Sequence, residues 1–473
     1  NSKVSTNSRI YSLLKNVKLE NRLLKGNEKI EDVLFNINFE EVNKRIQELR
    51  QKSLQYLKEA LQVSIEEQEK ENDKFIKISD KEDCCGCTAC MSICPKNAIS
   101  MQEDEEGFKY PHIDREKCIN CGLCRKVCPI KNPIKEEKVA QLGYIVNNKN
   151  NEVRKESTSG GAFTAIAEYV IDQNGVVFGA SFDNELRVHH TFTQKKEELG
   201  KFRGSKYVQS DLEESFKTAK EFLDKNKLVC FSGTPCQVEG LKKYLGKEYE
   251  NLITVDVVCR AVPSPLLLRK YLQFQKQNLG MEKINKIYFR DKRKYGYKYS
   301  TMTIESDQKN YSKGVETDPY LRAFFSNLSD RPSCYNCKFK KQYRQSDFTL
   351  WDCFETEKYS KTLDDDKGTT RLLVHSEKGR NILKDILSNF EYKEVDVNDL
   401  LPGVREIFKS VPINKNRKAF FRDMNILDET KFFDKYFPDS IKVKLERNIR
   451  IILTKTGFYK SIKKIAKKIL RKG

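Results

Sequence analysis

Eight cysteines between residues 84 and 128 repeat one spacing twice, and this repeat constrains the fold more than any other feature of the chain. Each repeat reads C-x-x-C-x-x-C-x-x-x-C-P, with cysteines at Cys84, Cys87, Cys90 and Cys94, then at Cys118, Cys121, Cys124 and Cys128. With this spacing, three thiolates of a repeat hold one 4Fe–4S cluster and the fourth cysteine reaches across to the other cluster. The sequence therefore predicts two clusters, one on Cys84, Cys87, Cys90 and Cys128, and one on Cys94, Cys118, Cys121 and Cys124.

Zinc is the alternative that this pattern leaves open, because zinc sites also use Cys-x-x-Cys pairs. Zinc has no need of the proline that follows each fourth cysteine, and eight soft thiolates suit iron–sulfur clusters. Residues 76–135 resemble the bacterial two-cluster ferredoxin domain, whose clusters pass electrons. The long gap between Cys94 and Cys118 predicts an inserted hairpin around Gly107, and Cys85 is surplus to the pattern.

Composition places the chain in a reducing compartment. Its fifteen cysteines fall largely in metal-ligand spacings, and such thiols must stay reduced to bind iron, so we expect a cytoplasmic protein. The apolar runs are far shorter than the roughly 20 residues that span a bilayer. Part of the net charge of +20 lies in residues 442–473, which hold twelve Lys or Arg and one acidic residue, Glu446.

Strands and helices alternate after the cysteine repeat. We predict a helix over 162–171, strands over 176–179, 228–231 and 252–258, and a helix over 236–245, which together indicate an α/β layer. The domain prediction is a helical segment over 1–75, the two-cluster module over 76–135, an α/β domain over 140–390 with parts 140–220 and 221–390, and a helical basic tail over 391–473.

Five short strings follow one another in the order typical of a single family. They read STSGGAFT at 157–164, GSKY at 204–207, SGTPCQ at 232–237, VPSP at 262–265 and RPSCYNC at 331–337. Together they resemble the coenzyme F420 hydrogenase/dehydrogenase beta-subunit family, in its bacterial branch with an N-terminal ferredoxin domain. The resemblance implies FAD, a third 4Fe–4S cluster, and electron exchange with a redox partner protein, a reduced ferredoxin or an F420-like deazaflavin.

The resemblance also implies site residues, although it assigns no catalytic residue. The cofactor-binding residues would be Ser159, Gly160, Gly161, Lys206, Tyr207 and Asp352. The third cluster would lie on Cys236, Cys259, Cys334 and Cys337. A glycine-rich helix start suits a phosphate, but it is equally an ordinary helix cap. Cys236 and Cys259 could also be small buried apolar residues.

Two departures from the family pattern put the flavin in doubt. Cys259–Arg260–Ala261 stands where the family has Cys-His-Gly, and residues 351–355 read WDCFE where it has Gly-Asp-Phe-Trp-Gly. The main hypothesis is an α+β ferredoxin-like module followed by an α/β flavin-binding domain, with helical ends, acting as an iron–sulfur flavoprotein oxidoreductase. The alternative is an electron-delivery or scaffold subunit without flavin turnover.

The two ends suggest different contexts. Residues 1–70, with RIYSLL at 9–14 and LENR at 19–22, resemble the C-terminal end of a polysaccharide pyruvyl transferase, which implies surface-polysaccharide biosynthesis. The remnant of a pyruvyl transferase fusion is therefore a further alternative for the function. An anonymous helical linker is the alternative, and a longer reading frame upstream of Asn1 would decide between them, since we expect a fragment or processed chain. At the other end, an apolar stripe from Phe458 to Leu470 faces lysines, which suits either an anionic membrane surface or packing on the chain itself. Nucleic-acid binding is disfavoured because this tail lacks aromatic stacking platforms.

Overall fold

The computed structural model describes residues 5–20, 38–60, 75–78, 80–456 and 462. The chain divides into two compact units, Asn1–Lys74 and Phe75–Gly473. The first unit contains helices α1 (Ser5–Asn16) and α2 (Phe39–Ala60). Acidic residues in the first turn of α2 favour its start, and several of its apolar side chains, including Phe39 and Tyr56, are exposed.

The two-cluster module opens the second unit. It contains a 3₁₀ turn (Lys81–Asp83), two one-turn helices, α3 (Ala89–Ser92) and α4 (Leu123–Lys126), and the antiparallel strands β1 (Ile99–Glu103) and β2 (Lys109–Ile113). Gly107 takes a positive φ of 83° in the turn between the strands, a conformation that glycine adopts without strain. The hairpin predicted around Gly107 is therefore confirmed.

Among the residues that the structure describes, twelve further helices follow the module. They are α5 (Asn151–Glu156), α6 (Ala162–Asp172), α7 (Ser215–Asp224), α8 (Pro235–Leu245), α9 (Pro265–Leu279), α10 (Pro319–Phe325), α11 (Glu377–Ile386), α12 (Val397–Leu400), α13 (Arg405–Phe408), α14 (Arg417–Ile426), α15 (Glu429–Tyr436) and α16 (Ile441–Lys455). Short 3₁₀ segments lie at Lys196–Phe202, Pro332–Asn336, Thr356–Lys358 and Leu387–Asn389. Among the described residues, no helix is both long and apolar enough to cross a membrane.

In the described part of the chain, eleven strands follow the module and form two sheets. They are β3 (Leu142–Asn148), β4 (Val176–Phe182), β5 (Val188–Thr193), β6 (Val229–Gly233), β7 (Leu252–Val257), β8 (Lys286–Asp291), β9 (Thr301–Glu305), β10 (Asn310–Lys313), β11 (Phe348–Asp352), β12 (Thr370–Val374) and β13 (Phe390–Glu394). The predicted strands over 176–179, 228–231 and 252–258 correspond to β4, β6 and β7.

The main sheet has the order β13-β3-β12-β11-β7-β6-β4-β5. Its centre, β11-β7-β6-β4, is parallel, and both flanks are antiparallel, so the α/β layer is a mixed sheet. Buried apolar side chains of these strands pack against α6 and α11 on one face and against α7 and α8 on the other. The domain boundary predicted at residue 390 falls at the first residue of β13, which pairs with β3, so the main sheet continues into the predicted helical tail.

A smaller sheet of order β10-β9-β8 shares a second core with α9, α10, α14 and α15. Phe420 of α14 and Phe432 and Phe433 of α15 are fully buried there. Much of the predicted helical tail is therefore part of the folded body. The apolar stripe predicted between Phe458 and Leu470 lies outside the described residues, apart from Ile462.

Candidate iron–sulfur and cofactor site

The cysteines of the two repeats gather into two groups. We call Cys84, Cys87, Cys90 and Cys128 the inner set and Cys94, Cys118, Cys121 and Cys124 the outer set. Each set lines its own cavity, together with apolar side chains such as Ile76 and Ile130 at the inner set and Phe75 and Ile99 at the outer set. Four thiols around an apolar cavity fit the donor set of a 4Fe–4S cluster, and the crossed arrangement is the one that the spacing predicts.

The two sets differ in their access to water. All four inner cysteines are buried, whereas Cys121 of the outer set is exposed and Cys94 and Cys118 are partly exposed. Burial raises the thiol pKa of Cys90 and Cys128, so a thiolate needs a positively charged partner, as iron would supply. Two backbone N–H groups donate to outer-set sulfurs, from Ile76 to Cys124 Sγ at 3.2 Å and from Ala98 to Cys94 Sγ at 3.2 Å.

The inner set lies directly against the α/β domain. A Cβ atom on Gly240, in the middle of α8, would lie 2.7 Å from Cys87 Cβ and 3.0 Å from its sulfur. Glycine at this position therefore allows the ligand loop to approach the helix. Cys87 and Val127 belong to the same apolar core as Phe216 and Leu241 of α7 and α8. The two-cluster module and the α/β domain are thus one packed body.

A third group, which we call the third set, consists of the cysteines implied by the family resemblance. Cys236 lies in the first turn of α8 after a capping box on Thr234, Cys259 follows β7, and the other two lie at the Pro332–Asn336 segment. Burial is the main cause of the raised pKa values of Cys259, Cys334 and Cys337, and the mutual charges of this group add to it. The four cysteines are therefore neighbours, and their ligand role stays a prediction.

Cys85 lies between the inner and third sets. Its buried thiol interacts electrostatically with the thiols of both Cys87 and Cys236, so it lies close to both sets. On the other side of the inner set, the charges of Cys90 and Cys124 interact. The cysteine sets therefore follow one another in the order outer, inner, third. The surplus cysteine of the sequence pattern marks the junction between the last two.

The glycine-rich start of α6 was expected to bind a phosphate through free backbone N–H groups, but one of these groups already has a partner. The Gly160 N–H donates to Thr370 Oγ1 at 2.8 Å, so this amide is not free for a phosphate. A Cβ on Gly160 would lie 2.2 Å from the Val146 carbonyl oxygen, which shows that the loop needs glycine in order to pack on the sheet. Gly161 caps the helix with a positive φ of 79°.

Three of the predicted cofactor-binding residues are joined by basic side chains. Lys292 Nζ donates to the Ser159 carbonyl at 2.8 Å. Arg290 forms an ion pair with Asp352, whose other oxygen accepts from Tyr297 Oη at 2.8 Å. Arg290 also interacts with the Tyr207 hydroxyl. We call Arg290, Lys292, Ser159, Tyr207 and Asp352 the basic cluster.

Lys206, which was predicted with Tyr207, contacts a different group of atoms. Its ammonium lies 3.2 Å from the Arg203 carbonyl, 3.3 Å from the Gly204 carbonyl and 5.7 Å from the centre of the Phe182 ring. In the described part of the chain, no hydrogen bond joins it to the basic cluster. Burial lowers the pKa of Lys206 to about 7.

Lys292 is the member of the basic cluster best suited to hold an anion. Burial, together with the charges of Arg154 and Arg290, lowers its pKa to about 7. Arg154 is neutralised by Asp365 at 2.6 Å and Arg290 by Asp352, whereas the hydrogen bonds of Lys292 go to the carbonyls of Ser159 and Lys367. Carbonyl oxygens carry no net charge, so they leave the positive charge of the ammonium uncancelled, and a nearby phosphate would be attracted to it.

Sequence reasoning missed Arg290 and Lys292. Both belong to the run RDKRK at 290–294, which reads as a solvated group of charges. The only signal was the alternation in β8, where buried Ile287 and Phe289 place Tyr288 and Arg290 on the opposite face. Lys292 follows just beyond the end of this strand. That alternation does not reveal that this face meets the Ser159 loop.

Comparison with known proteins matches three regions of the chain to family models. Residues 83–132 match the 4Fe-4S dicluster domain, residues 144–217 match the N-terminal model and residues 226–399 the C-terminal model of the coenzyme F420 hydrogenase/dehydrogenase beta subunit. The dicluster match favours iron–sulfur clusters over zinc. No curated protein matches the chain.

A similar chain occurs in a xenon-derivatised structure of the F420-reducing [NiFe] hydrogenase complex from Methanosarcina barkeri. Its identity is 15%, it covers 66% of this chain and 96% of its own length, and the TM-score is 0.38. Family membership rests on the family models, which match in the same order as the motifs in the sequence. The chain belongs to the coenzyme F420 hydrogenase/dehydrogenase beta-subunit family and is an iron–sulfur electron-transfer protein within it.

Proposed function

We propose that this chain is an oxidoreductase that moves electrons between an external carrier and FAD through three 4Fe–4S clusters on the outer, inner and third sets. The observation that carries this proposal is the continuity of the sets, through Cys90 and Cys124 and through Cys85 and Cys236. Clusters supply one-electron transfer, and a flavin exchanges single electrons for pairs.

The outer set offers the entry point for the external carrier. Cys121 and Ile119 are exposed there, and Lys96 lines the same cavity. An exposed cysteine loop lets a partner approach the first cluster closely, whereas the inner set is enclosed by the module and α8. The partner is a redox protein such as a reduced ferredoxin, or a reduced deazaflavin.

The basic cluster is the proposed position of the FAD pyrophosphate. The unneutralised ammonium of Lys292 and the start of α6 both favour an anion near Ser159. Tyr207 supports an aromatic ligand nearby, because its ring stacks on Phe324 with 4.7 Å between the ring centres and extends the apolar surface. The roles of Ser159, Gly160, Gly161, Lys206, Tyr207 and Asp352 stay predictions.

The competing proposal is electron delivery without flavin turnover. It is supported by the substituted positions near the basic cluster, where Phe354 stacks on Tyr297 and Arg290 lies 4.9 Å from the centre of the Phe354 ring. Such packing could occupy the space that a flavin ring requires. The surface-polysaccharide role stays a prediction from residues 1–70, of which 5–20 and 38–60 are described.

Anaerobic analysis of iron, sulfide and flavin in the reconstituted protein tests these proposals. We expect about twelve irons and one FAD per chain, because each cubane contains four irons. About eight irons without flavin would contradict the oxidoreductase proposal and leave a two-cluster electron-delivery protein. About twelve irons without flavin would retain the third cluster and remove the flavin site.

Helix α16 supports the proposed contact with an anionic membrane surface. Ile441, Leu445, Ile449 and Ile452 form one stripe along it, and each is more than half exposed. The helix also carries Lys or Arg at five positions and one acidic residue, and residues 457–473 add seven basic residues and no acidic one. A helix with an exposed apolar stripe beside lysines is typical of binding in the plane of an anionic bilayer.

Vesicle sedimentation tests this contact. The protein should sediment with vesicles that contain phosphatidylglycerol, bind less at high salt, and stay in solution with phosphatidylcholine alone. The double variant Leu445→Glu, Ile449→Glu should abolish binding, whereas Ile413→Glu, at an equally exposed position elsewhere, should not. Equal binding of both variants, or a dimer that the double variant dissociates, would contradict the membrane proposal.

A further inference from the structure

We propose that Arg331 is the buried counter-charge of the inner cluster and raises its reduction potential, favouring electron flow inward from the outer cluster. This inference rests on the cluster assignment in the proposed function. It gives a positioning and electrostatic role to a residue that neither the cysteine spacing nor the basic cluster explains.

Arg331 is fully enclosed beside the ligand loop of the inner set. Its Nε donates to the Cys84 carbonyl at 2.7 Å, and its two terminal nitrogens donate to Gln209 Oε1 at 2.9 Å and to the Lys109 carbonyl at 3.0 Å. A Cβ on Gly86, between the first two ligands, would lie only 3.0 Å from the guanidinium. The cation therefore lies directly against the inner-set loop.

The hydrogen-bond partners of Arg331 are all neutral. Among the described residues, no carboxylate forms an ion pair with it, whereas the buried Arg417 is paired with Glu106 and the buried Arg344 with Asp256. The adjacent Asp330 faces Arg260, Arg417 and Lys340 instead. Leaving a buried charge without a counter-charge is strongly unfavourable, so a compensating negative charge is expected nearby.

The groups that interact with the Arg331 charge include the inner-set ligand Cys84 and, in the third set, Cys334. Burial alone would lower the pKa of Arg331, and the groups of Cys84, Tyr110, Cys85 and Cys334 outweigh that effect. A 4Fe–4S cluster with four thiolates carries net negative charge, and reduction adds one more. The fixed guanidinium attracts the reduced form more strongly and raises the potential, which depends on nearby charge and on burial.

Among the described residues, no buried Lys or Arg lines the cavity of the outer set. Lys96 lines its cavity, but this side chain belongs to an exposed residue, where water and salt screen its charge. Burial of the inner cluster by itself would disfavour the extra electron and lower its potential. Arg331 opposes that effect at the inner set alone. The inner cluster then has a higher reduction potential than the outer cluster, which favours electron transfer from the outer to the inner cluster.

Potentiometric titration followed by EPR, with the whole chain loaded anaerobically, tests this role. In Arg331→Gln, the ratio of reduced to oxidised inner cluster at a fixed ambient potential should fall tenfold or more, equivalent to about 59 mV for a one-electron couple. In Arg331→Lys, which keeps the charge, this ratio should fall by much less. The outer cluster should keep its potential in both variants, and Lys96→Gln is the matched control for the loss of an exposed charge.

Gln209→Glu provides a second test that leaves Arg331 in place. It sets a carboxylate of nearly the same shape against the guanidinium, and the inner potential should again fall while iron content is retained. This variant decides the question if Arg331→Gln fails to assemble. Unchanged inner potentials in Gln209→Glu and in the assembled Arg331 variants, or equal shifts of both clusters, would overturn the proposal. Failure of the cluster assignment itself would appear separately, as missing iron in the parent protein.

Discussion

Replacing Cys94 by alanine is expected to remove the outer cluster and to leave the inner cluster intact, although Cys94 belongs to the first repeat. Cys94 lines the same cavity as Cys118, Cys121 and Cys124, so its loss deprives that site of one of four ligands. Iron content should fall by about four per chain. The EPR spectrum of reduced Cys94→Ala should match that of Cys121→Ala, because both variants damage the same site.

The reciprocal variant supplies the control. Cys128→Ala should match Cys87→Ala, since both cysteines line the inner cavity, and Cys85→Ala should retain full iron because the spacing gives Cys85 no ligand role. If Cys94→Ala instead matched Cys87→Ala, each repeat would hold its own cluster and the crossed arrangement would be wrong. Loss of iron from Cys85→Ala would show that this thiol is a ligand after all.

Much of the fold was accessible from local patterns in the sequence. Apolar runs bounded by turns predicted β4, β6 and β7, and the long gap between the repeats predicted the β1–β2 hairpin. The order of the main sheet was not accessible, because β3 pairs with β12 and β13, which lie more than 200 residues further along the chain. Pairing between strands so distant in sequence adds β12, β3 and β13 as an antiparallel flank beside the parallel centre of the sheet, and no local pattern predicts it.

The candidate site was predictable where the geometry of cluster binding fixes the spacing of the cysteines along the sequence. The two repeats indicated both cluster cavities, and Cys334-x-x-Cys337 was visible as a pair, but Cys236 and Cys259 are on separate elements and needed the family resemblance. Arg331 was missed because a charged residue normally reads as exposed, and only the packed structure shows that it is buried. Gly160 was expected to free an amide for phosphate, whereas contact with Val146 and Thr370 explains its small size.

Replacing Lys292 by methionine is expected to weaken FAD binding by roughly tenfold to a hundredfold, the range that follows from losing one charge-assisted hydrogen bond of about 1.5–3 kcal/mol. Lys292 donates to Ser159 and Lys367 and is nearly fully buried, so its ammonium would meet a phosphate with little screening by water. Fluorescence titration of the cluster-loaded protein with FAD measures the change. Lys294→Met is the matched control, because Lys294 is exposed in the same basic run.

The pH dependence of binding separates a direct charge effect from a loosened loop. In the free protein, burial holds the pKa of Lys292 at about 7, so the side chain is protonated below that pH and largely neutral above it. An anion binds the protonated form and raises this pKa, so FAD affinity should fall as pH rises above 7, by at most tenfold per pH unit. The parent and Lys294→Met should share this decline, and Lys292→Met should lose most of it. A variant that binds FAD more weakly but keeps the full decline would place the pyrophosphate away from Lys292 and assign the lysine to holding the Ser159 and Lys367 carbonyls together.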